Sequence, residues 1–98
     1  MNSQLTPEAE LDIIEAVRWY DERDQKLGDD LLRHVYQCIA SIEANPRRYP
    51  IVHRQMRRAL VRRFPFQILY EIESAEVIIY AIYHSARDPE AWQRRRAD

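Results

Sequence analysis

At 98 residues, with 46% apolar and 32% charged side chains, the chain has room for one domain and a modest core but not for a second. Its net charge of −1 conceals two halves: residues 1–45 hold ten acids and four bases, a balance of −6, and residues 46–98 hold six acids and eleven bases, a balance of +5. No apolar run approaches the roughly 20 residues of a membrane helix, Met1-Asn2-Ser3-Gln4 opens no signal peptide, and the lone Cys38 excludes an internal disulfide; together these make a cytoplasmic, membrane-free protein the expectation.

Thr6-Pro7-Glu8 opens a helix. Thr6 can cap it, Pro7 suits the first helical position, and Glu8 and Glu10 favour its positive end. Ala9, Ile13, Val17 and Tyr20 then recur at spacings of four and three, with Leu11 and Ile14 widening the stripe, until the helix fades near Asp21 to Gln25. A second helix is expected from about Gly28-Asp29-Asp30, capped by an Asp, with Leu31 or Leu32, Val35, Ile39 and Ile42 on one face. Asn45-Pro46 ends it, because proline disfavours helix in the residue before it. A connection of about five residues makes the two helices an antiparallel hairpin. Cys38 falls on the apolar stripe of the second helix, where a thiol is buried and inert.

Residues 46–57 form a Pro- and Arg-rich loop with Tyr49-Pro50 and His53. Strands are expected at about 58–63, 66–73 and 77–83, with Pro65 between the first two and Ser74-Ala75 turning the next pair, which makes an antiparallel meander. A single glycine implies that turns needing positive φ are scarce. In the last strand Val77, Ile78, Ile79, Ala81 and Ile82 leave neither face polar, which places it centrally. In the middle strand Ile68, Tyr70 and Ile72 alternate with Gln67, Leu69 and Glu71, so one face packs and the other is partly exposed. Asp88-Pro89 opens a short final helix carrying Trp92. The fold class is α+β: an N-terminal helical hairpin packed on one face of a three- to four-stranded antiparallel sheet, with a short C-terminal helix.

Fourteen of the fifteen basic residues are Arg, whose planar fork pairs with phosphate or carboxylate in two contacts. A basic second half therefore points to an anionic partner, nucleic acid or an acidic protein segment, unless the two halves neutralise each other internally. Alternation along the first sheet strand puts Arg58 and Arg62 on one face and Arg57 and Arg63 on the other. These form either a basic groove or a solvated edge guarded by charge. His84, three residues before Arg87, could act as a general base on a ribose 2′-hydroxyl while Arg87 holds the phosphate; otherwise it caps the strand. Trp19 lies at the core edge or meets a partner, while Tyr20 fits the core stripe. Trp92 with Arg94, Arg95 and Arg96 offers aromatic and cationic anchors. His34, among polar positions of the second helix, and His53 are expected to be noncatalytic. Three scattered His and one Cys show no ligand spacing, so no metal or other cofactor is expected.

The helical hairpin, meander and Arg-rich terminus together resemble the RelE/ParE superfamily of bacterial toxins over nearly the whole chain. The resemblance rests on Thr6-Pro7-Glu8-Ala9-Glu10-Leu11-Asp12 with Trp19-Tyr20, on Asn45-Pro46, on Arg63-Phe64-Pro65-Phe66-Gln67-Ile68-Leu69-Tyr70, and on His84 with Arg87-Asp88-Pro89. Members usually begin with a strand before the first helix; here Met1 to Leu5 are short and mostly polar, so that strand is a stub or missing. The resemblance implies a cognate antitoxin as partner and growth arrest as outcome. RelE-like members cut messenger RNA on the ribosome, whereas ParE-like members poison DNA gyrase. Gln67 stands where RelE-like sequences often carry an Arg that could stabilise extra phosphate charge, and Trp92 stands in place of a terminal Tyr. The ParE-like branch is therefore favoured, with the mRNA endoribonuclease and a non-toxic antitoxin-binding module as alternatives. The oligomeric state is left open.

Overall fold

The computed structural model describes residues 1–96. Its elements run β1 (Ser3–Leu5), α1 (Pro7–Asp21), α2 (Gln25–Ala44), β2 (Ile51–His53), β3 (Met56–Leu60), β4 (Phe66–Glu73), β5 (Glu76–His84) and α3 (Glu90–Gln93). The expected helices, meander and final helix are all present. Five strands rather than three or four form the sheet, in the order β1-β5-β4-β3-β2. It is mixed rather than antiparallel, because the stub before α1 does form and runs parallel to β5, Gln4 opposite Ile78.

Thr6 caps α1 as expected, its hydroxyl accepting from the Ala9 N–H at 3.1 Å. α2 starts earlier than expected: Asp24, extended at φ −166° and ψ 117°, accepts from the Lys26 N–H and is the cap. Gly28, where the second helix is expected to begin, lies inside α2 at the crossing of the hairpin. A Cβ there would sit 3.2 Å from the Val17 carbonyl and far too close to the Asp21 carboxylate, so glycine lets the helices approach. The loop expected at 46–57 contains β2 and the start of β3. The strand expected at 58–63 ends at Leu60, because Arg62–Pro65 bend and Arg63 adopts φ 69°. Arg62 and Arg63 therefore lie outside the strand, and the alternation expected of them does not apply. Positive φ is not scarce either: Arg54, Arg63, Ser74 and Ala75 all take it without being glycine.

Two apolar layers sandwich the sheet. On one face α1 and α2 bury Ala9, Ile13, Leu31, Val35 and Ile42 against Phe66, Ile68, Tyr70, Val77, Ile79 and Ile82. On the other, Trp92 of α3 packs with Met56, Leu69, Ala81 and Tyr83. β4, not β5, is the middle strand, and Gln67, Leu69 and Glu71 are buried rather than partly exposed because this second layer covers them. β5 is nonetheless interior, between β1 and β4.

A bulge in β5 decides which way its end faces. Leu69 pairs with Ala81 but Tyr70 with Ile79, leaving Tyr80 as an extra residue. Before it, odd-numbered Val77 and Ile79 face the hairpin; after it, even-numbered Ile82 does, while Ala81 and Tyr83 join the α3 layer. No helix among the described residues is long and apolar enough to cross a membrane.

Candidate functional site

The bulge carries His84 onto the hairpin face, where its ring stands 5.3 Å from that of Phe66. Its Nδ1 accepts from the Ala86 N–H at 3.0 Å, so the neutral ring carries its proton on Nε2. Arg87 sits in the exposed turn that follows; its N–H donates to the His84 carbonyl at 3.1 Å and its guanidinium lies 5.4 Å from the Tyr83 ring centre. No ion pair involves Arg87 among the described residues. Across from this turn is the C-terminal half of α1. A cleft of about 480 Å³ opens between them, with Asp12, Glu15, Ala16, Trp19, Tyr20, Phe66 and Ile82 as its other lining residues.

Trp19 is 51% exposed, stacked under Arg23 with its guanidinium carbon 3.4 Å from the ring centre and edge-on to Tyr20 at 4.9 Å. Tyr20 packs against Phe64 at 5.4 Å and belongs to the core, as its place on the stripe implied. Asp12 is structural: it accepts from the Ile82 N–H at 3.0 Å and takes two contacts from Arg95, at 2.5 and 3.1 Å. This pairing pushes the Arg95 guanidinium up from its ordinary range and fixes its charge.

At the opposite margin of the sheet, a groove of about 850 Å³ runs between α2 and β3. Arg48, Arg58 and Arg62 line it beside His34, Tyr49 and Leu60. Arg57 does not contribute its charge outward, since its guanidinium donates to the Arg47 and Tyr49 carbonyls at 3.1 and 2.7 Å. Arg63 is exposed in the bend after β3, beyond the groove lining. Residues 44–70 carry seven arginines and no acid, so a positive field follows this margin.

The terminal anchors diverge. Trp92 is 4% exposed and fills the α3 layer, its Nε1 lacking a partner. Arg95 is spent on Asp12 and the Tyr80 carbonyl, Arg96 on the buried Glu71 at 3.1 Å, and only Arg94 is exposed. His34 is buried rather than polar-facing, with Nδ1 2.7 Å from the Asp30 carbonyl. Cys38 is buried, and burial pushes its thiol up to about 11. No cluster that could hold a metal occurs among the described residues.

The structure thus brings His84, Arg87 and Trp19 together and places Arg58 and Arg62 in a different groove, with β4 between: Val61 bonds the Phe66 carbonyl, and Phe66 pairs with His84. Alternation along β4 also puts Gln67 on the face opposite Phe66 and His84. Asp12 and Glu15 were missed as cleft residues: in the sequence they read only as part of the acidic first helix. Arg48 and Tyr49 were assigned to a loop with no role.

The family model described as "ParE toxin of type II toxin-antitoxin system, parDE" matches residues 4–89. Among solved structures, a chain of the chromosomal ParDE TA system from P. aeruginosa superimposes with a TM-score of 0.78 over 86% of this chain and 95% of that chain, at 15% identity, a likeness of fold. No curated protein matches the chain.

Proposed function

Because the chain belongs to the ParE toxin family of type II toxin–antitoxin systems, we propose that it arrests growth by blocking DNA gyrase and that a cognate antitoxin holds it in check. The observation that carries the choice of target is where His84 sits. A general base for RNA cleavage must share a site with the groups that hold the scissile phosphate. His84 instead spends Nδ1 on its own turn, faces away from Gln67, and lines the α1–β5 cleft rather than the groove of Arg58 and Arg62. Gln67 is neutral, and Trp92, in place of a phenol, is sealed in the core. Loss of one transition-state contact costs on the order of 10²–10³ in rate, so these departures together disfavour efficient chemistry.

Binding a protein surface asks less: a desolvated aromatic and an exposed Arg suffice as anchors. Trp19 and Arg87 supply them at the α1–β5 cleft, with Arg94 exposed beyond. We assign this end of the molecule to the target. The groove of Arg48, Arg58 and Arg62 suits an acidic extended segment of the antitoxin, since each guanidinium can take a carboxylate in two contacts. Buried Trp92 and paired Arg95 act through the fold rather than by touching a partner.

Induced expression with and without the adjacent reading frame tests the reading. The chain alone should stop growth, Arg87→Ala should relieve the arrest while the protein accumulates to the same level, and co-expression of an acidic antitoxin should restore growth. Growth unaffected by the wild-type chain would leave a binding module without toxicity.

A further inference from the structure

Beyond the end of β1, no strand covers the outer edge of β5, where Arg95 takes the Tyr80 carbonyl. β1 covers only Val77–Ile79, and the Thr6 N–H closes on the Ile79 carbonyl at 3.0 Å. After the bulge, the backbone groups of Ile82 and His84 point to the same outer side. Phe66, opposite His84, spends its own N–H on Phe64 and its carbonyl on Val61, so it bonds nothing across to β5. The Asp12 carboxylate takes the Ile82 N–H, standing in for the carbonyl that a continued β1 would offer. The Arg87 N–H takes the His84 carbonyl. The Ile82 carbonyl and the His84 N–H remain, with no partner among the described residues.

That remainder serves one added residue opposite Tyr83, and a parallel ladder shows how. In such a ladder one residue donates its N–H to the carbonyl of i−1 and accepts from the N–H of i+1; with Tyr83 as i, these are the two free groups. A wide antiparallel pair at Tyr83 uses the same two groups, whereas the narrow antiparallel pairs at Ile82 and His84 are blocked by Asp12 and Arg87. We infer that the α1–β5 cleft captures one extended peptide segment laid along β5, with an acidic residue opposite Tyr83 and an aromatic residue next after it. The side chain opposite Tyr83 shares the face of Tyr83, over which the unpaired Arg87 guanidinium lies at 5.4 Å; charge complementarity makes it Asp or Glu. The following side chain turns to the hairpin face, where Trp19, Tyr20 and Phe66 form an aromatic wall. Arg95 neutralises Asp12, and Glu15 opposes a second acid on that face. Edge pairing supplies affinity and the two pockets supply sequence preference.

The inference goes beyond the gyrase reading, and its test needs neither gyrase nor antitoxin. The probe is the blocked peptide acetyl-Thr-Val-Glu-Phe-Thr-amide, titrated into the full chain labelled with ¹⁵N. The His84 amide should shift saturably and its hydrogen exchange should slow. N-methylation of the probe's Glu, for a parallel segment, or of its Phe, for an antiparallel one, removes the donor to the Ile82 carbonyl and should weaken binding on the order of tenfold. Arg87→Ala should weaken the Glu peptide several-fold and leave a Gln version unchanged. A His84 amide untouched up to millimolar peptide, or peptides N-methylated at Glu and at Phe that both bind as well as the parent, overturns the inference.

Discussion

Asp12 offers the sharpest test of how the C-terminal segment is held. Its carboxylate is 10% exposed and the Arg95 side chain 16%, and it ties α1 both to the outer edge of β5 and to Arg95 beyond α3, where Glu8 adds a longer contact at 3.8 Å. Asp12→Ala leaves Arg95 charged without its main partner and orphans the Ile82 N–H. Breaking a buried ion pair from one side costs about 3–5 kcal/mol, and stranding a buried N–H costs about 1–3 kcal/mol. Residual water access to both groups brings the expected total to about 3 kcal/mol, a large share of the roughly 5–15 kcal/mol such a domain possesses. Urea denaturation followed by far-ultraviolet circular dichroism should show a midpoint lowered by roughly 2 M at an unchanged slope. Asp12→Asn keeps an acceptor for Ile82 and should cost less. Arg95→Met should couple to Asp12→Ala, so that the double variant is less destabilised than the sum. An Asp12→Ala midpoint within about 1 kcal/mol of wild type would show that the pair does not hold the segment.

Two further outcomes follow from local geometry. Ser74 and Ala75 turn β4 into β5 at φ 49° and 62°, a conformation that asparagine and glycine adopt more easily. Ala75→Gly should therefore raise stability by roughly 0.5 kcal/mol, or about 2–4 °C in Tm by calorimetry, once the added freedom of the unfolded chain is subtracted. Tyr70 is fully buried and its hydroxyl donates to the Pro46 carbonyl at 2.6 Å; burial pushes its phenol up to about 12 from the ordinary 10.0. The folded value lies above the unfolded one, so this contribution is whole below pH 10 and is lost as pH rises from about 10 to 12. Tyr70→Phe should be less stable at neutral pH and should lose less stability across that alkaline window, as measured by urea midpoints at successive pH values.

The helices, the meander and the terminal turn were legible because each rests on short-range signals: the Thr6-Pro7 cap, a stripe of period three to four, and the Ser74-Ala75 turn between β-type runs. What escaped depends on contacts distant in sequence. Three residues with only one apolar among them, Ser3–Leu5, became β1 because β5 offers an edge. Gly28 looks like punctuation until α1 is laid against it. The largest loss was the bulge at Tyr80: strict alternation puts Val77, Ile79, Ala81 and Tyr83 on one face, and one inserted residue reverses the outcome for the second pair and for His84. The candidate site was thus visible as residue types, His84, Arg87 and Trp19, but not as an arrangement. Likewise Trp92 and Arg95 carry the chemistry of partner anchors, and only the packing of α3 and the carboxylate of Asp12 reveal them as internal.

The choice of target is tested most directly by incubating the purified chain with gyrase and relaxed plasmid, alongside a parallel incubation with translating ribosomes. Supercoiling should be inhibited or cleaved plasmid trapped on gyrase, Arg87→Ala should weaken this, and ribosome-bound messenger should stay intact. Specific cuts in that messenger, lost in His84→Ala while gyrase works unhindered, would contradict that choice.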